Sequence, residues 1–464
     1  MTKYIIPFLL FVSSVAFAQG YKIQLNIESV PNEQVFLAHY YLGNIYVDDT
    51  LQLDASGRGT FTGDTLLPQG LYKIYKDKDN HFDFLLGADQ DFTITNKSFI
   101  GTEMQASGAV ETEQLVKYAT FLNNLKKEGA EINNRLKTAT GDEKENLQKE
   151  LSKLTPKLQE YWESINDKYP GTFLAKFLMS NYVPEIDESS LSIDIQQNDS
   201  LLLLAKYYYQ QKYFWDYFDY TDERFLYTPL LKPKLETWFT KVLYQDYDSV
   251  RQPVFEFIEN VKPNKRMFQF ATSWFLNSSI NSKIMGMDAL FVDLAKTYYL
   301  SGEAFWATDK SMKKIRENVM FFQNNLIGKT APNLNLESVD GEFFSLHQID
   351  KKLTAVLIYE PNCSHCKVFV PEFYNDIYLK YKEKGLAVFA IYSMDNKEEW
   401  VKFLEKHKMW DWINVWDKDR VSRFKILYDV RKTPRIFILD ENKKIIAKDL
   451  SIERLDYVIG NELN

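Results

Sequence analysis

Between residues 359 and 373 the chain reads YEPNCSHCKVFVPEF, and this stretch holds Cys363 and Cys366, the only cysteines among 464 residues. It overlaps the end of an apolar run, AVLIYE (355–360), and leads into a segment whose apolar residues recur at helical spacing. A buried strand that turns through Pro361-Asn362 into a helix puts Cys363 at the helix N-terminus and Cys366 in its first turn. The unpaired backbone N–H groups and partial positive charge of a helix start favour thiolate over thiol. Cysteines so placed titrate below the free value of about 8.5. A second thiol one turn on is placed to resolve a mixed disulfide formed by the first. The sequence therefore predicts an exposed nucleophile, Cys363, and a more buried resolver, Cys366. No cofactor is expected beyond their own redox-active disulfide.

A second mark lies downstream in VRKTPRIFILD (430–440). Proline has no N–H to give and suits the first residue of a strand. Next to a redox pair it predicts a cis Thr433–Pro434 bond packed against the sulfurs, with the Thr433 backbone offered to an incoming peptide. Only about 5–6% of X–Pro bonds are cis, so this expectation rests on the cysteine pair and not on the dipeptide.

Working outward, residues 327–464 alternate short apolar runs (AVLIYE, GLAVFAIYS, RIFILD) with helical patterns over Cys366–Lys384, Lys397–Lys406, Arg420–Tyr428 and Ile452–Gly460. Buried strands alternating with helices predict an α/β sheet. Ahead of them APNLNLESVDGEFFSL predicts a hairpin turning at Asp340-Gly341. Residues 19–108 have a different texture, with short alternating runs such as YKIQLNI and DFTITN between Gly, Asn and Asp clusters. They predict an all-β, sandwich-like domain. Residues 109–326 carry helical periodicity punctuated by prolines and predict an all-α domain. Within it the aromatic run YYYQQKYFWDYFDY (207–220) is expected to be core packing.

The pieces around the cysteines, taken together, resemble a thioredoxin-like domain of the TlpA/ResA type, the exported thiol–disulfide oxidoreductases. The matching pieces are the added hairpin, CSHC on a strand–helix junction, Pro371 as a helix-kinking proline, and TPRIFILD as the cis-proline strand. WDWINVWDKDRVSRFKILYDV (410–430) stands for the inserted strand–helix unit. The resemblance implies a thioredoxin fold, Cys363 and Cys366 as catalytic thiols, and Thr433 and Pro434 as residues that position substrate. It also implies that Ser364 and His365 tune the potential. Residues 20–105 and the segment YFWDYFDYTDERFLYTPLL resemble two domains of unknown function found beside such modules in exported proteins of the Bacteroidetes. The chain departs from the family in several places. Asn362 replaces the Trp before the first Cys, Leu357 replaces a buried Asp, and Phe369 replaces a Glu three residues after the second Cys. Glu360 is the nearest acid, and stands either as a proton relay or as a solvated turn residue. A protonated His365 would stabilise the Cys363 thiolate, so the expected potential is less reducing than thioredoxin's about −270 mV.

The N-terminus bears on compartment. Lys3, the apolar run YIIPFLLFVSSVAFA and the small-x-small triplet Ala16-Phe17-Ala18 have the layout of a secretory signal peptide over residues 1–18. A cleaved signal is favoured over a retained membrane anchor, because the run falls short of the about 20 residues a span needs. A periplasmic or otherwise exported, soluble mature chain is expected. Its partners would be exported proteins with disulfides or thiols and a membrane redox protein, and an oligomer is compatible with the helical domain. The net charge of −8 argues against a nucleic-acid partner. A zinc site is disfavoured, since one cysteine pair and five scattered histidines lack two ligand pairs. A peroxidase reading is also disfavoured, because Val356 and Glu360 occupy the Pro and Thr/Ser places ahead of a peroxidatic cysteine. A rival of another class is an adaptor protein whose β and helical domains bind a partner while the redox domain is auxiliary.

Overall fold

The computed structural model describes residues 20–463, and the expected signal segment lies outside them. The chain divides into two compact units, one ending at Leu243 and the other beginning at Tyr244.

Period-two alternation builds the sheets of the first unit. Its strands are β1 (Tyr21–Ile27), β2 (Gln34–Tyr41), β3 (Asn44–Gln52), β4 (Arg58–Gly63), β5 (Gly70–Tyr75), β6 (His81–Leu86), β7 (Asp91–Asn96) and β8 (Gln105–Ser107). They form two four-stranded sheets in the orders β4-β1-β7-β8 and β3-β2-β5-β6. Only β1 and β7 run parallel. Along β1, Ile23, Leu25 and Ile27 are buried, and they share one core with Leu37, Tyr72 and Phe84 from the other sheet. That is the one-face-in, one-face-out pattern of packed antiparallel sheets. The β2–β3 hairpin turns on Leu42 and Gly43, both at positive φ (52° and 82°), the backbone twist that a two-residue hairpin requires. Helices follow in the same unit. The first, Val110–Leu136, is fixed to the sheet where the Thr112 hydroxyl donates to the Leu85 carbonyl at 2.7 Å. The buried Glu111 carboxylate accepts from the Leu174 N–H at 2.7 Å.

The aromatic run 207–220 departs from expectation. Phe218 is its only buried residue, and the helix Asp199–Tyr213 buries none. Most of the rings are half-buried, some lying on one another, as Tyr209 does on Tyr213 with centroids 4.5 Å apart, and others on buried rings outside the run, as Trp215 does on Trp238. Aromatic density alone does not say whether rings face a core or each other.

The second unit combines helices Tyr247–Val261, Lys265–Ile280, Met287–Leu294 and Asp309–Phe322 with a seven-stranded sheet. Its strands are β9 (Asn335–Ser338), β10 (Phe343–Ser345), β11 (Leu353–Tyr359), β12 (Leu386–Tyr392), β13 (Ile413–Trp416), β14 (Arg435–Leu439) and β15 (Ile445–Lys448), in the order β10-β9-β13-β12-β11-β14-β15. β11 is parallel to β12 and antiparallel to β14. All seven residues of β11 are buried. Leu353, Ala355, Leu357 and Tyr359 face one core, while Val356 and Ile358 face the other. A strand covered on both faces reads as the unbroken apolar run seen in the sequence. Burying each of its large side chains contributes about 1.5–3 kcal/mol, so β11 is a rigid mount for the turn and helix that carry the cysteines.

The expected hairpin is β9–β10, turning through Gly341 at φ 88°. The expected helix over Arg420–Tyr428 shrinks to one turn, Phe424–Leu427. Asp417 accepts from the N–H groups of Val421 and Ser422, both at 3.0 Å, and Arg420 and Arg423 take positive φ. A side-chain acceptor has captured the backbone that a helix would have used.

Candidate active site

The end of β11 sets the site. After Tyr359 the chain turns through Glu360, Pro361 and Asn362, with the Cys363 N–H bonded to the Glu360 carbonyl at 3.2 Å. Cys363 is the N-cap of helix Ser364–Glu372, and its carbonyl accepts the first helical bond, from the Lys367 N–H at 3.1 Å. Proline at 371 cannot donate to the carbonyl four residues back. The next segment, Phe373–Tyr378, widens to i→i+5 bonds, the local response that an interrupted helical ladder allows.

Both cysteines are free thiols, one half-buried and one buried. Burial pushes the Cys363 thiol up. The N–H groups of Cys366 and His365 and hydrogen bonds from the Thr433 and Cys366 side chains outweigh it, so the group titrates below its ordinary value. Cys366 is 0% exposed, and burial, reinforced by the charge of Cys363, pushes it up to about 12. One helix turn thus carries two thiols of opposite character. Reduced protein treated with iodoacetamide is expected to label at Cys363 at lower pH than an ordinary cysteine thiol. Cys366 should stay unlabelled until pH approaches 12. Mass spectrometry of the alkylated peptides checks this, and equal labelling of both cysteines at neutral pH would contradict it.

The Thr433–Pro434 bond is cis, and the Cys363 thiol lies 3.3 Å from the Thr433 carbonyl oxygen. Ser364 and His365 are exposed. With Val368, Phe369, Thr433 and Pro434 they line an open groove of about 820 Å³ that runs alongside the cysteine helix. The sequence thus placed Cys363, Cys366, Ser364, His365, Thr433 and Pro434, and the fold brings all six to one locus. Glu360 is half-buried, and its carboxylate accepts from the Ser393 hydroxyl at 3.1 Å. Leu357, in the family's buried-acid position, is fully buried in the core. The nearest polar side chain on this strand is Tyr359, buried, with its hydroxyl accepting from Trp400 Nε1 at 2.9 Å.

Some residues at this locus carry no motif in the sequence. Asn362 donates its side-chain amide to Glu399, tying the turn before Cys363 to helix Lys397–His407. Arg435, directly after Pro434, is buried and pairs with Asp449 and, at 3.5 Å, with Asp429. Lys448 is buried too, and pairs with Asp288 while donating to the Asn325 carbonyl at 2.7 Å. Basic residues ending a strand read as surface from sequence. The only available signal was that Arg435 and Lys448 stand at inward places of otherwise apolar strands.

Residues 327–448 match the model of the AhpC/TSA family. The chain is 26% identical to the thiol-disulfide oxidoreductase ResA of Bacillus cereus over 135 residues, 29% of this chain and 75% of the relative. It is 27% identical to the ResA of Oceanobacillus iheyensis over 138 residues, 28% of this chain and 69% of the relative. Among solved structures, a domain of a possible thiol-disulfide isomerase from Cytophaga hutchinsonii is 38% identical, with 29% of this chain and 92% of that one covered and a TM-score of 0.28.

Proposed function

From a C-terminal thioredoxin-like domain that belongs with the ResA-type thiol–disulfide oxidoreductases, we infer that this chain exchanges disulfides with protein substrates through Cys363 and Cys366. The observation that carries the inference is the asymmetry of the pair. Cys363 is accessible and lowered in pKa, whereas Cys366 is buried and raised to about 12.

In the reducing direction the Cys363 thiolate attacks one sulfur of a substrate disulfide. A Cys363–substrate bond forms, the substrate S–S bond breaks, and one substrate thiolate leaves. The charge on Cys363 is then gone, and with it one of the causes that held the Cys366 proton. Cys366 passes its proton to the departing thiolate or to Glu360, attacks Cys363, and expels the second substrate thiol. The protein dithiol has become a disulfide, and two electrons have moved to the substrate. The oxidising direction is the reverse. Thr433 and Pro434 would pair with a substrate strand and Ser364 and His365 would flank it, a reading supported by the groove that all four line. Lys3 followed by an apolar run supports export to the periplasm or beyond, with exported proteins as substrates and a membrane redox protein closing the cycle. No helix among the described residues is long and apolar enough to cross a membrane.

Equilibration of the full chain with glutathione buffers tests the reading. The Cys363–Cys366 couple is expected above thioredoxin's about −270 mV, because the thiolate form of Cys363 is stabilised. A value below about −300 mV would mark a structural staple and overturn the proposal.

A further inference from the structure

The groove beside the cysteines does not end at Pro434. Lys432, Asp449, Leu450 and Ser451 border both it and a second cleft of about 640 Å³. The far wall of that cleft is the C-terminal end of helix Lys265–Ile280 and the turn leading to helix Met287–Leu294. Five basic and three acidic side chains line it. The acids are already taken, since Asp429 and Asp449 pair with Arg435 and Asp288 pairs with Lys448. Lys283, Lys432 and Arg454 are left, all exposed. Their side chains make no ion pair or hydrogen bond among the described residues. A chain of net charge −8 thus gathers a surplus of basic side chains around a cleft that borders the groove beside the cysteine helix. Cations crowded on one concavity repel one another and focus a positive potential there, which attracts an anionic ligand.

We propose that this cleft receives acidic side chains of the substrate polypeptide near its reactive cysteine. The apolar groove of Val368, Phe369 and Pro434 takes the residues at the disulfide, and Lys283, Lys432 and Arg454 take the carboxylates. A polypeptide fits better than a free anion because the two cavities adjoin, sharing Lys432, Asp449, Leu450 and Ser451 as a common border. A chain held at Cys363 as a mixed disulfide passes Thr433 and meets Lys432 next. The substrate class is therefore a disulfide flanked by Asp or Glu, and the cations set its register and its encounter rate. This inference rests on the redox reading of Cys363.

The test uses two peptides whose single cysteine carries a thionitrobenzoate mixed disulfide. One has Asp and Glu on both sides of the cysteine, and the other has Asn and Gln in their place. Cys363 attacks the peptide sulfur and releases coloured thionitrobenzoate, and Cys366 then releases the peptide thiol. The rate with the reduced full chain is divided by the rate of the same peptide with dithiothreitol, which removes the peptide's own reactivity. The acidic peptide is expected to react faster by about tenfold at low salt. That preference should vanish near 1 M salt, where the Debye length is about 3 Å. In the triple variant Lys283→Gln, Lys432→Gln, Arg454→Gln the ratio of the two peptides should fall to about one. Equal rates for both peptides in the wild type overturn the inference and leave the redox reading standing. A preference that survives in the triple variant also overturns it. No release from either peptide overturns the redox reading and this inference together.

Discussion

The Cys366→Ser protein, reduced and given a disulfide-containing protein, accumulates as a covalent adduct through Cys363. The serine hydroxyl is close to the thiol in size, so the buried site keeps its packing and the variant folds. The lowered pKa of Cys363 still permits attack, but nothing is left to expel the bound substrate thiol. Turnover should drop by at least about 10³-fold, the scale expected when one member of a cooperating pair is removed. The adduct should appear on a non-reducing gel, disappear with dithiothreitol, and map to Cys363 by mass spectrometry. Cys363→Ser should give no adduct, because Cys366 is buried and titrates near 12. These two outcomes separate the redox enzyme from an adaptor. An adaptor would hold its partners in both variants with no covalent link.

The locus was legible because its parts are local. A strand, a turn and a helix start are consecutive in sequence, so a cysteine pair at their junction states its own geometry. Thr433-Pro434 became legible by association with that pair. The groups that brace the site were not legible. Arg435 and Lys448 look like solvated strand ends, yet both are buried against carboxylates, Asp429 and Asp449 for Arg435 and Asp288 for Lys448. Lys448 meets Asp288 across 160 residues, and no periodicity encodes such a pairing. The same limit governs the helices. Apolar spacing shows that a helix hides one face and says nothing about what covers it. Residues 110–322 have one texture, yet helices up to Leu243 belong with the N-terminal sheets and those from Tyr247 with the redox sheet. The aromatic run at 207–220 shows the converse, a segment rich enough for a core whose rings, Phe218 apart, are at most half-buried.

Arg435→Leu should destabilise the redox unit by about 3–5 kcal/mol at neutral pH, the cost of leaving buried charge unpaired. The Arg435 side chain is 6% exposed and Asp429 is 7% exposed, so both charges are held out of water. Asp429 keeps Arg431, whose Nε lies 2.5 Å away but whose side chain is 38% exposed. Asp449 loses its guanidinium altogether. Burial already raises the Asp449 carboxyl above its usual range against the pull of Arg435, Lys432 and Lys448. Without Arg435 it rises further. A carboxyl raised in the folded state stabilises the fold only where it is protonated, and that stabilisation is lost as pH rises. The deficit of the variant should therefore shrink toward acid pH and be largest at neutrality. Urea unfolding at pH 7 and at pH 4.5 checks both the size and the sign. A deficit that does not change with pH would assign the loss to packing rather than to charge. Arg435 opens β14 directly after Pro434, and the Thr433 carbonyl is the partner of the Cys363 thiol. Releasing that anchor should also slow disulfide exchange by roughly ten- to a hundredfold, as expected for a misplacement near 1 Å. Adding Asp429→Asn and Asp449→Asn to Arg435→Leu should recover part of the stability, since no carboxylate is then left unpaired and Asn tolerates the positive φ of both positions (50° and 53°). It should not recover the rate, because the geometry that presents the Thr433 carbonyl to Cys363 would still be missing.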